Sequence, residues 1–413
     1  MNYLMKYCKF QHVQILCFDG KYNWKEGAHF VCKIYHNLFL ITLFLVLSSC
    51  VKHDAKKTNK DMSLFVYILS DNDLDDHADY IESDMVKGLK GCPAGTEIFL
   101  YVDRQNKKPC LRQLLLLEPG KVGVKIISEY EEHYSTSPEV FREVLNTMIS
   151  KSSGRQYGLI YWSHGNGWLP GISPDNASFR STRALGADGM YSMDIDDMND
   201  ILSGKREPFF IVLDACFMGA VEVAYSLRNS TDYLIASSSE TLGVGFPYHL
   251  MLPELVKGNT ESFIQALNIY WDYCYTDYYG DGIISGMASL IDCSQVESLA
   301  SAYKGVLEHI KDNISKDDIQ AYDCSYPHLY YDLDDYAHAI TDDSLSLALF
   351  EKQLEKTVVH KVSTPSVFTQ TSGRDSMLAI NHFSGLSTYI PGTSIGYDYA
   401  YMQTAWYKNC YGE

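Results

Sequence analysis

Phe209-Phe210-Ile211-Val212-Leu213 is a run of five apolar residues fenced by Pro208 before it and Asp214-Ala215-Cys216 after it. A short apolar run between a breaker and a turn reads as a fully buried strand. Gly219 then opens a second apolar segment, 220–227, whose Glu222 and neighbouring Arg228 suit a helix. In an open α/β sheet, ligands bind at the carboxyl ends of the strands, so Cys216 sits where a nucleophile would be displayed. Tyr157-Gly158-Leu159-Ile160-Tyr161-Trp162 has the same build and runs into Ser163-His164-Gly165-Asn166-Gly167-Trp168. His164 and Cys216 are 52 residues apart, enough for a parallel crossover that makes their strands neighbours. An imidazole beside a thiol assists attack on a carbonyl carbon. Ser163 is a poor rival nucleophile, because the Gly-x-Ser-x-Gly frame is absent.

The rest of the chain repeats the strand–helix theme. Residues 62–69, 96–103, 123–128, 233–237 and 286–291 are further strand candidates, with 377–381 and 387–390 last. Apolar residues at 140, 141, 144, 145, 148 and 149 form one helical face. Helical patterns also cover 262–275, 296–310 and much of 329–359. Alternation of this kind means a parallel, three-layer α/β domain. The interval 169–208, rich in Gly, Ser, Pro and Asp, reads as a surface excursion holding one short helix at 194–202. The tyrosines at 270, 273, 275, 278 and 279 read as a packed surface rather than a cofactor site.

A buried strand ending in His-Gly and another ending in Asp-Ala-Cys resemble the caspase–gingipain–legumain group of cysteine peptidases, and within it the clostripain family. Supporting pieces are Tyr67-Ile68-Leu69-Ser70-Asp71-Asn72-Asp73-Leu74, Ser237-Ser238-Ser239-Glu240 with Gly245-Phe246-Pro247-Tyr248, Tyr331-Asp332-Leu333, and Ser384-Gly385-Leu386-Ser387-Thr388-Tyr389-Ile390-Pro391. The resemblance implies a caspase-like sandwich with a largely parallel sheet over 62–295, and a C-terminal helix-and-strand subdomain, 296–413, packed on it. It implies Cys216 as nucleophile and His164 as its proton-transfer partner, with the imidazole oriented by backbone and no third member required. The amides of Gly165 and Cys216 become oxyanion-hole candidates. Asp214 matches the acid lining the primary specificity pocket, where a desolvated carboxylate accepts Arg or Lys; its alternative role is to hold the turn. Glu240 is placed to share that pocket. Family members cut themselves between the histidine and the cysteine after a basic residue, which makes Arg180 and Arg183 either processing sites or ordinary surface arginines.

Residues 38–47 form the longest apolar run, too short to span a bilayer but fit for a signal-peptide core. Leu47-Ser48-Ser49-Cys50 follows and resembles a bacterial lipoprotein box, with Cys50 lipidated and 51–61 a tether; the alternative is a buried helix with an incidental Cys50. Residues 1–32 show no periodicity and are expected to be an over-extended translation start or else a cytoplasmic segment. Losing 1–49, with five lysines and two acids, takes the net charge from −18 to −21. Such acidity opposes nucleic-acid binding and suits basic substrates, or simply keeps the protein soluble. Seven cysteines follow Cys50, an odd number with no zinc spacing. Asp71 to Glu82 imitates a calcium loop, but Asp76 stands where the loop glycine belongs; no cofactor is expected, with calcium raised only by the resemblance. The expectation is a monomeric, lipid-anchored envelope endopeptidase cutting peptides after basic residues. The alternatives are a catalytically silent peptide-binding lipoprotein and an acyl hydrolase or transpeptidase acting on a non-protein amide.

Overall fold

The computed structural model describes residues 62–412 except 119, 172–184, 205, 276–282, 312–313, 372–373 and 393. Cys50, Arg180 and Arg183, with the expected signal and tether, lie outside the described residues. In chain order the elements are β1 (Met62–Ser70), α1 (Asp75–Lys90), β2 (Glu97–Arg104), β3 (Lys107–Glu118), β4 (Lys121–Glu129), α2 (Pro138–Lys151) and β5 (Gln156–Trp162). Then come β6 (Leu185–Asp188), β7 (Tyr191–Met193), α3 (Ile195–Leu202), β8 (Phe210–Asp214), α4 (Val221–Leu227), β9 (Tyr233–Ala236), α5 (Tyr248–Leu255), α6 (Thr260–Cys274) and β10 (Met287–Asp292). The last third holds α7 (Val296–Leu307), β11 (Tyr331–Asp332), α8 (Leu333–Ile340), α9 (Ser344–Thr357), β12 (Val358–Ser363), β13 (Ser366–Thr371), β14 (Arg374–Ala379), β15 (Ser387–Thr388), α10 (Ile395–Gln403) and α11 (Ala405–Tyr411).

Nine strands form one sheet in the order β12-β10-β9-β8-β5-β1-β2-β3-β4. Its centre, β9 to β2, is parallel. Every residue of β1 is buried, because successive side chains enter opposite layers. Leu64, Val66 and Ile68 pack with α1, α5 and α6 on one face. Phe65, Tyr67 and Leu69 pack with α2, α3, α4 and α7 on the other. β8 divides the same way, Phe210 and Val212 against Ile211 and Leu213. Burying each such side chain contributes about 1.5–3 kcal/mol.

The sheet is three-layered as expected, but it is mixed. The long β3 and its hairpin partner β4 add antiparallel strands at one edge; the run Leu114-Leu115-Leu116-Leu117 within β3 carries no strand alternation. At the other edge β10 and β12 are antiparallel to their neighbours. β12 follows α9 with no glycine or proline between them, so the helical pattern hides the switch at Thr357–Val358. The interval 169–208 is not all surface: β6 is buried throughout, with Leu185 packed in the main core. All seven described cysteines are free thiols, and no described helix is long and apolar enough to cross a membrane.

Candidate active site

β5 and β8 run side by side with Trp162 opposite Asp214. His164 and Cys216 each stand two residues beyond that last pair, so register alone brings the imidazole loop beside the thiol turn. Gly165 lies against this turn, and a Cβ there would come within 2.7 Å of the Cys216 carbonyl and 2.8 Å of Ala215 Cβ. Any side chain at 165 would push the two loops apart.

The thiol turn is pinned by the neighbouring strand end. Phe217 N–H donates to Ser239 O at 3.0 Å and Gly219 N–H to Ser237 O at 2.6 Å. Phe217 adopts φ +62°, a left-handed conformation that a bulky residue holds only when its surroundings impose it. Its ring stacks on Tyr330 at 4.1 Å between centroids, and the Tyr330 hydroxyl donates to Asn166 O on the histidine loop. The half-buried Cys216 Sγ accepts from Thr241 N–H at 3.3 Å and lies 3.7 Å from Thr241 Oγ1. Burial pushes the thiol pKa up to about 11, and the Thr241 amide only partly offsets it. Burial thus favours the protonated thiol of Cys216 at neutral pH.

His164 is held from the other side. Its Nε2 lies 2.6 Å from Asp73 Oδ1, on the loop after β1. That loop is fixed by Asn72, whose Nδ2 donates to Leu69 O and Ala187 O and whose Oδ1 accepts Leu74 N–H. Ser163 Oγ donates to Leu69 O and accepts from Ala187 N–H; it is a brace. The expectation of a histidine oriented by backbone alone is thus amended, because a carboxylate side chain reaches the ring. The resemblance places the loop of Asp73 at the catalytic face and the loop 238–243, which holds Thr241, beside the substrate, but the sequence assigns neither residue a role. The signal for Asp73 lay in topology: neighbouring parallel strands place their following loops side by side.

Asp214 ends β8, 1 % exposed. Its Oδ2 accepts from Phe246 N–H and from the Tyr248 hydroxyl, both at 2.9 Å. Its Oδ1 is buried and has no hydrogen-bond partner among the described residues. Burial raises its pKa to about 7 against those two donors. Gly245 (φ +65°) covers it so closely that a Cβ would come within 2.4 Å of Oδ2. An open recess bounded by Thr241, Gly245, Phe246, Tyr270, Cys274 and Ser285 lies on the other side of this backbone, so Asp214 backs the recess rather than forming its wall. Glu240 is engaged elsewhere: it accepts from Thr369 Oγ1 at 2.9 Å and Gln370 N–H at 2.8 Å, clasping β13 to the thiol loop.

Among the described residues, ligand atoms gather closely enough for a metal at Asp332, Asp335 and His382 and at Asp334, His338 and Glu351. Asp332 already caps α8 and accepts from Ser384 N–H and the Tyr322 hydroxyl, which marks a structural knot. The acids of the apparent calcium loop are also engaged, Asp75 and Asp79 with Arg104 and Glu82 with Arg112.

Comparisons with known proteins agree with this geometry. Clostripain of Hathewaya histolytica is 25% identical over 239 residues, 49% of this chain and 44% of clostripain, so the match spans less than half of that relative. A secreted C11 cysteine protease of Bacteroides thetaiotaomicron, solved with an irreversible peptide inhibitor, superposes with a TM-score of 0.75 at 27% identity, covering 85% of this chain and 98% of its own. An inactive zymogen C11 protease of Parabacteroides distasonis gives 0.73 at 26% identity, with the same coverages. The clostripain family model (peptidase C11) matches residues 66–403, and the chain therefore belongs to the clostripain family.

Proposed function

We propose that the protein is a cysteine endopeptidase that cleaves after basic residues, with Cys216 as nucleophile. Cys216 Sγ attacks the scissile carbonyl carbon as His164 takes the thiol proton and later gives it to the leaving amine; water then hydrolyses the thioester. With Nε2 beside Asp73, the carboxylate would steady the imidazole while it exchanges the proton. The amides of Gly165 and Cys216 serve the developing oxyanion.

Basic specificity is carried by one observation: Asp214 Oδ1 is buried without a partner two residues before the nucleophile. Asp214 does not line the recess, so an Arg or Lys head bound there would favour its ionised form through space rather than through a direct bond. The test is hydrolysis of paired reporter peptides ending in Arg, Lys, Leu or Asp by the protein from Cys50 onward. Turnover after Arg or Lys that vanishes in Cys216→Ala supports both chemistry and specificity. Absence of any Cys216 adduct with an arginyl electrophile would instead favour a silent binding module.

Two accompanying proposals concern residues outside the described ones. Cys50 carries a lipid anchor at the bacterial envelope, tested by intact mass and labelling with a fatty-acid analogue. Arg180 or Arg183 is a self-cleavage site, tested by whether a nick there forms in the wild type and not in Cys216→Ala.

A further inference from the structure

A second recess lies between the loop that follows His164 and helix α4, which follows the thiol turn. It is lined by Trp168, four residues after His164, and by Glu222, six residues after Cys216. It encloses ≈ 380 Å³ of empty space, part of it open to solvent. Glu222 is 1 % exposed. Its Oε1 accepts from Thr388 Oγ1 at 2.7 Å and Tyr389 N–H at 3.2 Å. Its Oε2 is buried with no hydrogen-bond partner among the described residues. Burial pushes this carboxyl up to about 7, partly offset by Thr388, Tyr389 and Tyr401. Two more carboxylates, Asp194 and Asp196, line the same recess, and among the described residues neither lysine nor arginine does.

The remaining walls combine an apolar part, the Trp168 ring, Pro170, Ile195 and Ala400, with the polar Ser226, Gln403 and Thr404. Trp168 is fixed in place by ring contacts with Tyr389 and Tyr401. Its Nε1 is a buried donor with no hydrogen-bond partner among the described residues. A carboxylate oxygen without a donor, an indole N–H without an acceptor and an apolar wall between them ask for one kind of occupant. A basic residue within a peptide offers all three: a cationic head, a methylene stem and a backbone carbonyl. A metal ion fits less well. The ligand groups that converge closely enough for one lie elsewhere among the described residues, and a hard cation wants six or more oxygens rather than indole and proline.

We propose that this recess is a second binding site for a lysine or arginine residue of a peptide, its cationic head on Glu222 Oε2 and its stem along Trp168. It stands whether or not Asp214 recognises the scissile residue. Occupied, it ties α4, which follows the thiol turn, to the loop that follows His164.

The test uses the full chain carrying Cys216→Ala and Asp214→Asn, which removes turnover and the catalytic-pocket acid together. The probes are Nα-acetyl-lysine methylamide, its arginine counterpart and the uncharged norleucine isostere, read by calorimetry and thermal melting. The expected result is saturable binding of the basic probes, with a rise in Tm of about 2 °C at ten times Kd and no response to norleucine. Adding Glu222→Gln should weaken binding by about ten-fold or more, since a charge-assisted bond becomes a neutral one. Should that variant not fold, Asp196→Asn at the exposed side of the recess must weaken binding a few-fold. The proposal is overturned by unchanged affinity in these variants, by equal binding of norleucine, by loss of all binding on Asp214→Asn alone, or by a Glu222-dependent rise in Tm with calcium chloride in place of the peptide probes.

Discussion

The ends of β5 and β8 lie side by side, yet they are held by different kinds of bond. The thiol turn after β8 is fixed by backbone: Phe217 and Gly219 donate to carbonyls of Ser237 and Ser239, and the thiol accepts from the Thr241 amide. The histidine loop after β5 depends on side chains: Asp73 reaches the ring, Asn72 holds the loop of Asp73, and Ser163 braces the strand end. Their two carboxylates are opposites as well. Asp73 is exposed and paired, whereas Asp214 is buried with an oxygen unserved. The position of the thiol thus rests on backbone, while the orientation of the imidazole rests on single side chains.

The largest effect should come from the nucleophile itself. Cys216→Ala should abolish hydrolysis of an Arg reporter peptide, with Tm close to wild type because the turn is held by backbone. His164→Ala should lower kcat by roughly 10²–10⁴, the span of general acid–base catalysis. If it lowers KM alone, the two strand ends are not one catalytic unit.

Asp214→Asn comes next and separates specificity from architecture. It should cut kcat/KM for Arg and Lys peptides by roughly 10²-fold while leaving the Cys216 adduct with iodoacetamide intact. Stability should move the other way. With its pKa at about 7 when folded and in the usual carboxylate range when unfolded, Asp214 binds more protons in the native state between those values. The wild type should therefore lose stability as pH rises from about 4 to 7, and the Asn variant should lose that part of the slope, as urea melts across the range would show. A slope identical in both would leave Asp214 as an ordinary turn-holding group.

Asp73→Asn should cost about ten-fold in kcat with KM unchanged, since only the orientation and charge of the imidazole are altered. Glu240→Gln should have the smallest effect, a few-fold rise in KM, because the Gln370 N–H can still donate to the amide oxygen. A larger loss in Glu240 than in Asp73 would invert the comparison and place β13 within the substrate cleft.

How much of this was legible in the sequence follows the same division. The central strands β1, β5, β8 and β9 stand out because burial on both faces leaves unbroken apolar runs with punctuated ends. Cys216 and His164 were legible because each follows such a strand. The flanks were legible only in part: β4 and β10 match the candidates 123–128 and 286–291, but β3 mixes Lys107-Lys108-Pro109 with a leucine run, and β12 continues a helix without a break. Asp73 was invisible locally because its partner lies 91 positions away, and only the adjacency of β1 and β5 brings them together. Glu240 was read from the resemblance as sharing the specificity pocket, whereas its visible partners are Thr369 and Gln370 on β13, which the sequence did not mark as a strand.

The turn that displays Cys216 is also joined to a late part of the chain, through the bridge between Ala220 and Ser387 and the Ser387 N–H that donates to Gly219 O. Synthesis delivers these two ends far apart in time. Roughly 170 residues separate them, and at about 5–20 residues per second the ribosome takes on the order of ten seconds or more to cover the distance. During that interval both reactive side chains have emerged while the strand that braces their turn has yet to be made. Assembly order thus sets a delay, leaving the Cys216 turn without this brace until residue 387 has left the ribosome.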